Sequence, residues 1–408
     1  MANVNKKEKQ GEKSDAIAEK SKTPVAKNVS PAKTKCCSGT QSAKPKSPPS
    51  EKEKKEGEKV EKEKEKDKKP AKSDWQKELS DSIDGKMKDF VEKICTLENE
   101  THLSTHFLNE LMNMAFKDQK YTKFLANPQK NRNPDVFCAE ITRVKLKSTD
   151  GKDYIHANYI TIENSKKAYI ATQHPMASTM DDFWNMVFNE SVEVIVSLTN
   201  LVGPDFPVYY PNQKNSYAEY GNYQVICKSV KQGPLKYGPL VYTLEVVPNG
   251  CSHSLVVQLL KYSHWGKNLV PANTRVVMSL VKYMNKMKSF APILVQCETG
   301  VNQSAVLIYV DALFSLLLEN QTVDINAVFQ NIRKQRASML SQRIHFIYSI
   351  YVVLDFIRMR FHHNNIMPEV LKMIESVEKP ICHEFAKFVS TEAHDNRSTS
   401  PGSADLLF

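Results

Sequence analysis

Apolar residues recur with helical spacing in the segment that follows Trp75. The spacing predicts two helices, over Ile83–Leu97 and over Leu103–Phe124, and a polar loop over Asn127–Asp135. Short stretches with strand character come next, at Thr142–Lys147, Ala157–Ile162 and Ala168–Thr172. The first part of the pattern therefore predicts helices followed by several short strands.

The second part of the pattern returns to helices after more strands. Asp181–Glu190 has helical spacing, Val192–Leu198 is typical of a buried strand, and residues 222–262 alternate strands with Gly- and Pro-containing turns. Four further helices are predicted, over Thr274–Lys288 and over residues 305–319, 325–335 and 342–360. This order predicts an α/β (α+β) fold, in which a twisted mixed sheet is flanked by helices.

The first 73 residues differ in composition from the rest of the chain. They contain 21 Lys, no Arg, 12 acidic residues and no aromatic residue, so almost all of the formal charge of +10 lies there. A segment without aromatic residues cannot bury enough apolar surface to offset its chain entropy. We expect a disordered N-terminal tail. Lys and Glu are interleaved in it, which favours a solvated extension over a dedicated membrane anchor, although weak surface association through the tail stays open.

Cysteine usage and hydropathy exclude several classes of protein. The eight cysteines, at positions 36, 37, 95, 138, 227, 251, 297 and 382, lack metal-ligand spacing. They fit a reduced intracellular protein without a metal or another cofactor. No apolar run approaches the length of a membrane span, and no secretory signal opens the chain. A tail without Arg or aromatic residues also argues against specific nucleic-acid recognition.

The segment with the clearest chemical content begins at Cys297. An apolar run ends at Val295, Cys297 follows, Gly300 permits a tight turn, and a helical pattern starts after Ser304. A loop between a strand and a helix N-terminus can hold an oxyanion over a thiolate. The alternative interpretation is that Cys297 is a structural cysteine of the core.

Several ordered motifs resemble the protein tyrosine phosphatases over about residues 95–362. Lys130-Asn131-Arg132-Asn133-Pro134-Asp135-Val136 is similar to K-N-R-Y-x-D-V, and residues 153–160 are similar to D-Y-I-N-A-N-Y-I. Residues 171–175 resemble A-T-Q-G-P, residues 182–184 read D-F-W, and Gln335-Arg336 resembles the closing element. A narrower resemblance is to the divergent tyrosine-phosphatase-like proteins of polydnaviruses (bracoviruses), which act in host insect cells.

The resemblance divides the chain into four parts. These are a tail of residues 1–74, a helical lead-in of residues 75–94, a tyrosine-phosphatase-like domain of residues 95–362, and a C-terminal helix with a frayed end, residues 363–408.

The resemblance also assigns roles, and most of the residues in those positions have changed. Cys297 takes the position of the phosphocysteine nucleophile, and Gly300 and Ser304 match the phosphate-binding loop. Five positions are occupied by unsuited residue types: Gln296 for the His before the nucleophile, Glu298 beside it, Gln303 for the loop Arg, Lys267 for the general-acid Asp, and Asn133 for the stacking Tyr. His345 takes the position of the water-positioning Gln, and this change stays ambiguous because a His is also able to orient a water.

These changes predict a loss of catalysis. Gln303 brings no charge to the transition state, Lys267 is a poor proton donor to a phenolate, and a neutral Gln296 with a Glu298 carboxylate disfavours the thiolate. We expect a catalytically inactive pseudophosphatase in the cytoplasm, in a host cell if the chain is viral, that acts by binding signalling proteins, phosphotyrosine proteins among them. Two alternatives stay open: a weakly active or altered-specificity phosphatase using Cys297, and a nucleic-acid or membrane adaptor acting through the basic tail.

Overall fold

The computed structural model describes residues 74–114, 119–148, 150–199, 203–233, 235, 238–266, 270–271, 273–286 and 290–397. The expected disordered tail, the adaptor function attached to it, and Lys267 therefore lie outside the described residues.

Nine strands of the described part of the chain form one sheet, in the order β1-β2-β3-β9-β4-β8-β7-β6-β5. Their bounds are β1 Arg143–Lys145, β2 Tyr154–Thr161, β3 Ala168–Gln173, β4 Val194–Ser197, β5 Tyr217–Tyr220, β6 Tyr223–Gln232, β7 Leu240–Pro248, β8 Leu255–Lys261 and β9 Ile293–Cys297. The central strands β3, β9, β4 and β8 are parallel, and the outer pairs are antiparallel. The mixed sheet expected from the sequence is confirmed.

Helices cover both faces of the sheet. Their bounds are α1 Asp74–Thr101, α2 Leu103–His106, α3 Thr122–Leu125, α4 Met180–Asn189, α5 Thr274–Met284, α6 Gln303–Leu318, α7 Ile325–Gln335, α8 Arg343–Asn364 and α9 Pro368–Arg397. The α6 helix is almost entirely buried, and it forms the centre of the larger core together with α8. The smaller core lies under α4, on the other face of the sheet.

The single helix predicted over Leu103–Phe124 is wrong. After α2 the chain makes one π-helical turn, Phe107–Leu111, and the described residues 112–114 and 119–121 that separate it from α3 are not helical. Phe107 and Leu111 are fully buried, and Met114, outside any helix, still packs against the core. Apolar spacing therefore marked the residues that face the core, and it overstated the length of the helix. The polar end expected to be frayed from Thr391 is helical as far as Arg397.

Sheet topology brings together the residues that matter for function. Parallel strands place their carboxyl ends along one edge, and β3, β4, β8 and β9 all end there. Cys297 is the last residue of β9 and lies opposite Gln173, the last residue of β3. In open α/β sheets this edge is where ligands bind.

Candidate active site

The loop between β9 and α6 is held in a tight turn around the Cys297 sulfur. Gly300 donates its backbone N–H to Cys297 Sγ over 3.2 Å, and Cys297 is fully buried. Gly300 has a φ of +74°, and an added Cβ would lie 2.5 Å from the carbonyl group of Thr172. Only glycine meets both requirements, a left-handed backbone and close contact with β3.

A buried arginine, Arg336, anchors this loop from below. Its guanidinium donates to the carbonyl oxygens of Gly300 (3.0 Å) and Thr299 (2.9 Å), and also to Asn158 Oδ1 (2.7 Å). Burial lowers the pKa of Arg336, and negative charge on the cysteines nearby opposes the change. The backbone carbonyls of the loop are thus fixed by a residue 36 positions further along the chain.

His156 completes the support of Arg336. Its Nε2–H donates to the carbonyl of Val136 (2.8 Å), and its Nδ1 accepts from Arg336 (3.1 Å). Burial and the neighbouring guanidinium lower the pKa of His156 to about 3. The imidazole is therefore neutral at physiological pH, which is what an acceptor facing a cation requires.

Gln296 lies in a network on the opposite side of β9. Its Nε2 donates to Tyr209 Oη (2.7 Å) and to Ser197 Oγ (3.1 Å), and the side chain is fully buried. Lys261 extends the network, because its ammonium donates to the hydroxyl of Thr199 (2.6 Å) and lies 3.5 Å from Ser197 Oγ. Burial lowers the pKa of Lys261 to about 8. The amide of Gln296 adds no charge next to Cys297.

Gln303 joins the loop to another segment at the mouth of the site. It opens α6, is 6% exposed, and donates from Nε2 to the carbonyl of Gly266 over 3.1 Å. Gly266 follows Trp265, which is fully buried against Tyr348. Gly266 is thereby placed beside the first turn of α6. The side-chain amide nitrogen of Gln303 is therefore hydrogen-bonded to a backbone carbonyl of the protein itself.

The rim beside Glu298 carries the positive charge. The Glu298 carbonyl accepts from the backbone N–H of His174 (3.1 Å), and Arg132 donates to the His174 carbonyl (3.2 Å). Burial lowers the pKa of Arg132, while the carboxylates of Glu298 and Asp205 oppose that change. Burial also lowers the pKa of the His174 imidazole, to about 4. The Glu298 carboxylate therefore offsets the charge of the half-buried Arg132.

Two of the remaining predicted residues, Asn133 and His345, lie on segments other than the loop between β9 and α6. Asn133 is half-buried, and its Oδ1 accepts the backbone N–H of Asp135 (2.8 Å) in an Asx turn. His345 is fully buried in the first turn of α8. The chain before that helix does reach the loop, because Leu340 donates its N–H to the Val301 carbonyl (3.1 Å). Lys130, a second local cation, is bound to Asp182 at 2.8 Å.

Four buried polar atoms near the sulfur have no hydrogen-bond partner in the described part of the chain. They belong to Gln296 (Oε1), Thr299 (Oγ1), Asn302 (Oδ1) and Ser304 (Oγ). Buried polar atoms are normally paired, so the loop retains hydrogen-bonding capacity for a bound group. Among the described residues, no three His, Cys, Asp or Glu side chains form a group able to hold a metal ion.

The sequence identified every member of the Cys297 loop but missed its supports. His156, His174, Tyr209 and Lys261 were not predicted as site residues, and Arg336 was noticed only as part of a motif. The sequence did offer one signal for two of these supporting residues, because His156 and His174 each replace another residue inside a motif that resembles the family. Their contacts could not be read from the sequence because they join distant strands.

Comparison with known proteins gives the ancestry of this site. The chain is 30% identical over 236 residues to tyrosine-protein phosphatase non-receptor type 20 of Mus musculus, covering 57% of this chain and 54% of that protein. It is 33% identical over 251 residues to receptor-type tyrosine-protein phosphatase eta of Mus musculus, covering 59% of this chain and 20% of the relative. Tyrosine-protein phosphatase 69D of Drosophila melanogaster is 29% identical over 262 residues, covering 60% and 18%.

The match is confined to one part of these relatives, about half of the first and a fifth of the second. No helix in the described ranges combines the length and hydropathy needed to cross a membrane. The sequence profile described as protein-tyrosine phosphatase matches residues 127–355, which include the sheet, the Cys297 loop and Arg336. The chain therefore belongs to the protein-tyrosine phosphatase family.

Proposed function

We propose that this chain is a catalytically inactive phosphatase-fold protein, a pseudophosphatase, that acts by binding and competing in cell signalling. The observation that carries the proposal is that Gln303 is uncharged, buried and hydrogen-bonded to the protein backbone. At the position of the loop Arg it is neutral, 6% exposed, and bonded through its amide to Gly266. Loss of a charged transition-state donor typically costs on the order of 10²–10³ in rate.

The surroundings of Cys297 also support loss of catalysis. Gln296 fixes a neutral amide next to the sulfur, and the Glu298 carboxylate lies beside it in sequence. Neither residue supplies the positive charge with which a nucleophilic cysteine is normally activated. Lys267 at the general-acid position would remove a further factor of about 10²–10⁴. Cys297 is then a remnant of the ancestral reaction.

The proposed partners are signalling proteins that active relatives also recognise, phosphotyrosine proteins among them. The intact loop, anchored by Arg336, supports binding, as do the unpaired polar atoms around Ser304. Asn133 and Gln303 cannot supply the aromatic stacking and the charge that make phosphotyrosine binding tight. The resemblance to polydnavirus proteins favours the cytoplasm of a host cell as the place of action.

Turnover of an aryl phosphate tests the inactive state. The wild type and Cys297→Ser should show the same background rate. The double reversion Gln303→Arg with Lys267→Asp should raise the rate at least about 10²-fold, because it restores charge and acid together. The matched control is Gln321→Arg, an exposed position between α6 and α7. Wild-type turnover that disappears in Cys297→Ser would show that the chain is an enzyme.

Competition with an active relative tests the binding role. An excess of the chain should slow dephosphorylation of a phosphotyrosine protein by the relative. Gln303→Arg should tighten binding of a phosphotyrosine peptide at least about tenfold, because a charge-assisted bidentate contact returns. If the chain neither slows the relative nor binds the phosphorylated peptide better than the unphosphorylated one, competition at phosphotyrosine sites is wrong.

One observation favours the second candidate, a weakly active phosphatase. The Gly300 N–H still points at Cys297 Sγ, and the Arg336 cation is buried beneath the loop. In that case a weak rate would depend on Cys297 and would fall further in Lys267→Ala or His345→Ala. The turnover measurement separates the two candidates.

A further inference from the structure

A cavity of about 350 Å³ lies at the edge of the sheet opposite to the Cys297 loop. It opens where the parallel strands β3, β4 and β9 begin, whereas Cys297 lies where β9 ends. The apolar part of its wall includes Met284, Pro292 and Ile293. The cavity is large enough for a bulky side chain, and it is separate from the candidate active site.

Two lining residues of this cavity, Lys167 and Asn285, donate hydrogen bonds to a buried carboxylate behind the wall. Asp311 in α6 is fully buried and accepts from Lys167 (2.7 Å), Tyr169 (2.7 Å) and Asn285 (3.1 Å). Since both carboxylate oxygens are engaged, this is a satisfied network that holds α6, β3 and the end of α5 together. It fixes the part of the cavity wall that Lys167 and Asn285 form.

An aromatic side chain stands at the rim of the cavity without filling it. Phe290 contributes to the lining, yet it is 98% exposed, the highest exposure among the exposed large apolar side chains. Exposure of a complete aromatic ring beside a cavity with a partly apolar wall is unfavourable in water. The ring and the cavity together form a knob and a hole on one face of the molecule.

Both signs of charge border the same cavity. Lys166 on the loop before β3 and Glu319 after α6 are both exposed lining residues, and Lys167 and Glu193 lie further in. A face that carries both signs cannot favour a purely acidic or purely basic partner. It can match its own copy, because a two-fold axis places the same patch opposite itself.

We propose that this face binds a second copy of the chain around a two-fold axis. The Phe290 ring of each copy enters the cavity of the other, and Lys166 of each copy lies opposite Glu319 of its partner. The contact is reciprocal, so it closes at a dimer and does not build filaments. It leaves both Cys297 loops on the outer ends, free for the partners proposed above.

Sedimentation velocity of the full chain under reducing conditions tests the dimer, since reduction excludes disulfides through the exposed Cys251 and Cys382. We expect a monomer–dimer equilibrium between about 1 and 100 µM, the range of transient interfaces. Phe290→Asp should leave only monomer. The control Ile141→Asp changes a residue that is 86% exposed elsewhere, and it should dimerise like the wild type. A wild type that is monomeric throughout, or dimers unaffected by Phe290→Asp, would overturn the proposal.

Charge reversal tests the two-fold pairing itself. Lys166→Glu alone and Glu319→Lys alone each place like charges opposite one another, so each should weaken self-association by about tenfold. An equimolar mixture of the two variants should associate again, because both contacts then pair Glu with Lys. A mixture that associates no better than either variant alone would exclude this arrangement, as would single variants that dimerise normally.

Discussion

Replacing Gly300 with alanine tests whether the Cys297 loop is packed against β3 as tightly as the structure indicates. Gly300 has a φ of +74°, and an added Cβ would lie 2.5 Å from both the carbonyl carbon and the oxygen of Thr172. It would also lie 2.9 Å from the guanidinium of Arg336. Two separate costs therefore act at this position, backbone strain and steric overlap.

The size of each cost follows from the geometry. A left-handed backbone costs a residue with a Cβ roughly 1–2 kcal/mol. Ordinary Cβ contacts fall at 3.4–4 Å, so the loop must move by about 1 Å away from a central strand. Overpacking of that kind adds about 1–3 kcal/mol. We expect Gly300→Ala to lower the free energy of unfolding by about 2–5 kcal/mol in total.

Two other glycines serve as controls that separate the cost of steric overlap from the cost of backbone strain. Gly151 (φ +74°) and Gly250 (φ +75°) have the same backbone conformation, and an added Cβ at either would have no atom within 4 Å. Their alanine variants should show the strain alone, about 1–2 kcal/mol. Urea unfolding of the full-length variants, analysed for midpoint and slope, measures all three changes. Equal destabilisation at the three positions would refute the tight packing of the loop on β3.

Three further predictions concern the buried polar groups. His156 has a folded pKa of about 3, below its ordinary 6.5, so its contribution to stability is complete above pH 6.5 and is lost as the pH falls towards 3. From pH 7.5 to pH 5 the wild type should lose about 2 kcal/mol more than His156→Asn, with the exposed His253→Asn as control, measured by urea unfolding. Asp311→Ala leaves the half-buried Lys167 ammonium and the buried Tyr169 hydroxyl without their acceptor. It should cost about 2–4 kcal/mol, and a thermal midpoint equal to that of the wild type would contradict this. Tyr209→Phe removes one of two acceptors of Gln296 and should cost about 1 kcal/mol, whereas a loss above about 3 kcal/mol would mean that the network is cooperative.

The fold was largely predictable from the sequence, and the errors of that prediction have physical causes. Buried strands such as β4 and β9 are continuous apolar runs, so periodicity and flanking turns locate them. The helix expected through Phe124 failed because Phe107 and Leu111 face the core whether or not the helix continues. The short edge strand β5 was not predicted, since its four residues alternate only weakly and its pairing with β6 supplies the structure.

For the candidate site, the sequence predicted which residues share the Cys297 loop, and it did not predict their hydrogen-bond partners. The sequence placed Cys297, Gly300, Gln303 and Ser304 in one loop between a strand and a helix. In the structure Gly300 lies in that loop, Cys297 ends β9, and Gln303 and Ser304 already belong to the first turn of α6. The sequence predicted that Asn133 replaces the aromatic residue of the resembled motif. It did not predict the Asx turn in which the Asn133 side chain accepts a backbone N–H. Local spacing reports which residues share a loop, but it does not report what a side chain bonds to.

The sequence by itself determined the order of elements, and it predicted the nucleophile position and the replacement of the charged helpers by neutral or unsuited residues. Those properties are local, since each depends on a residue and its near neighbours along the chain. Only the tertiary structure decided that Arg336 carries the loop, that Gln303 bonds to Gly266, and that His156 is a neutral acceptor. Such contacts join residues between 36 and 180 positions apart, and they are fixed by the register of β2, β3 and β9.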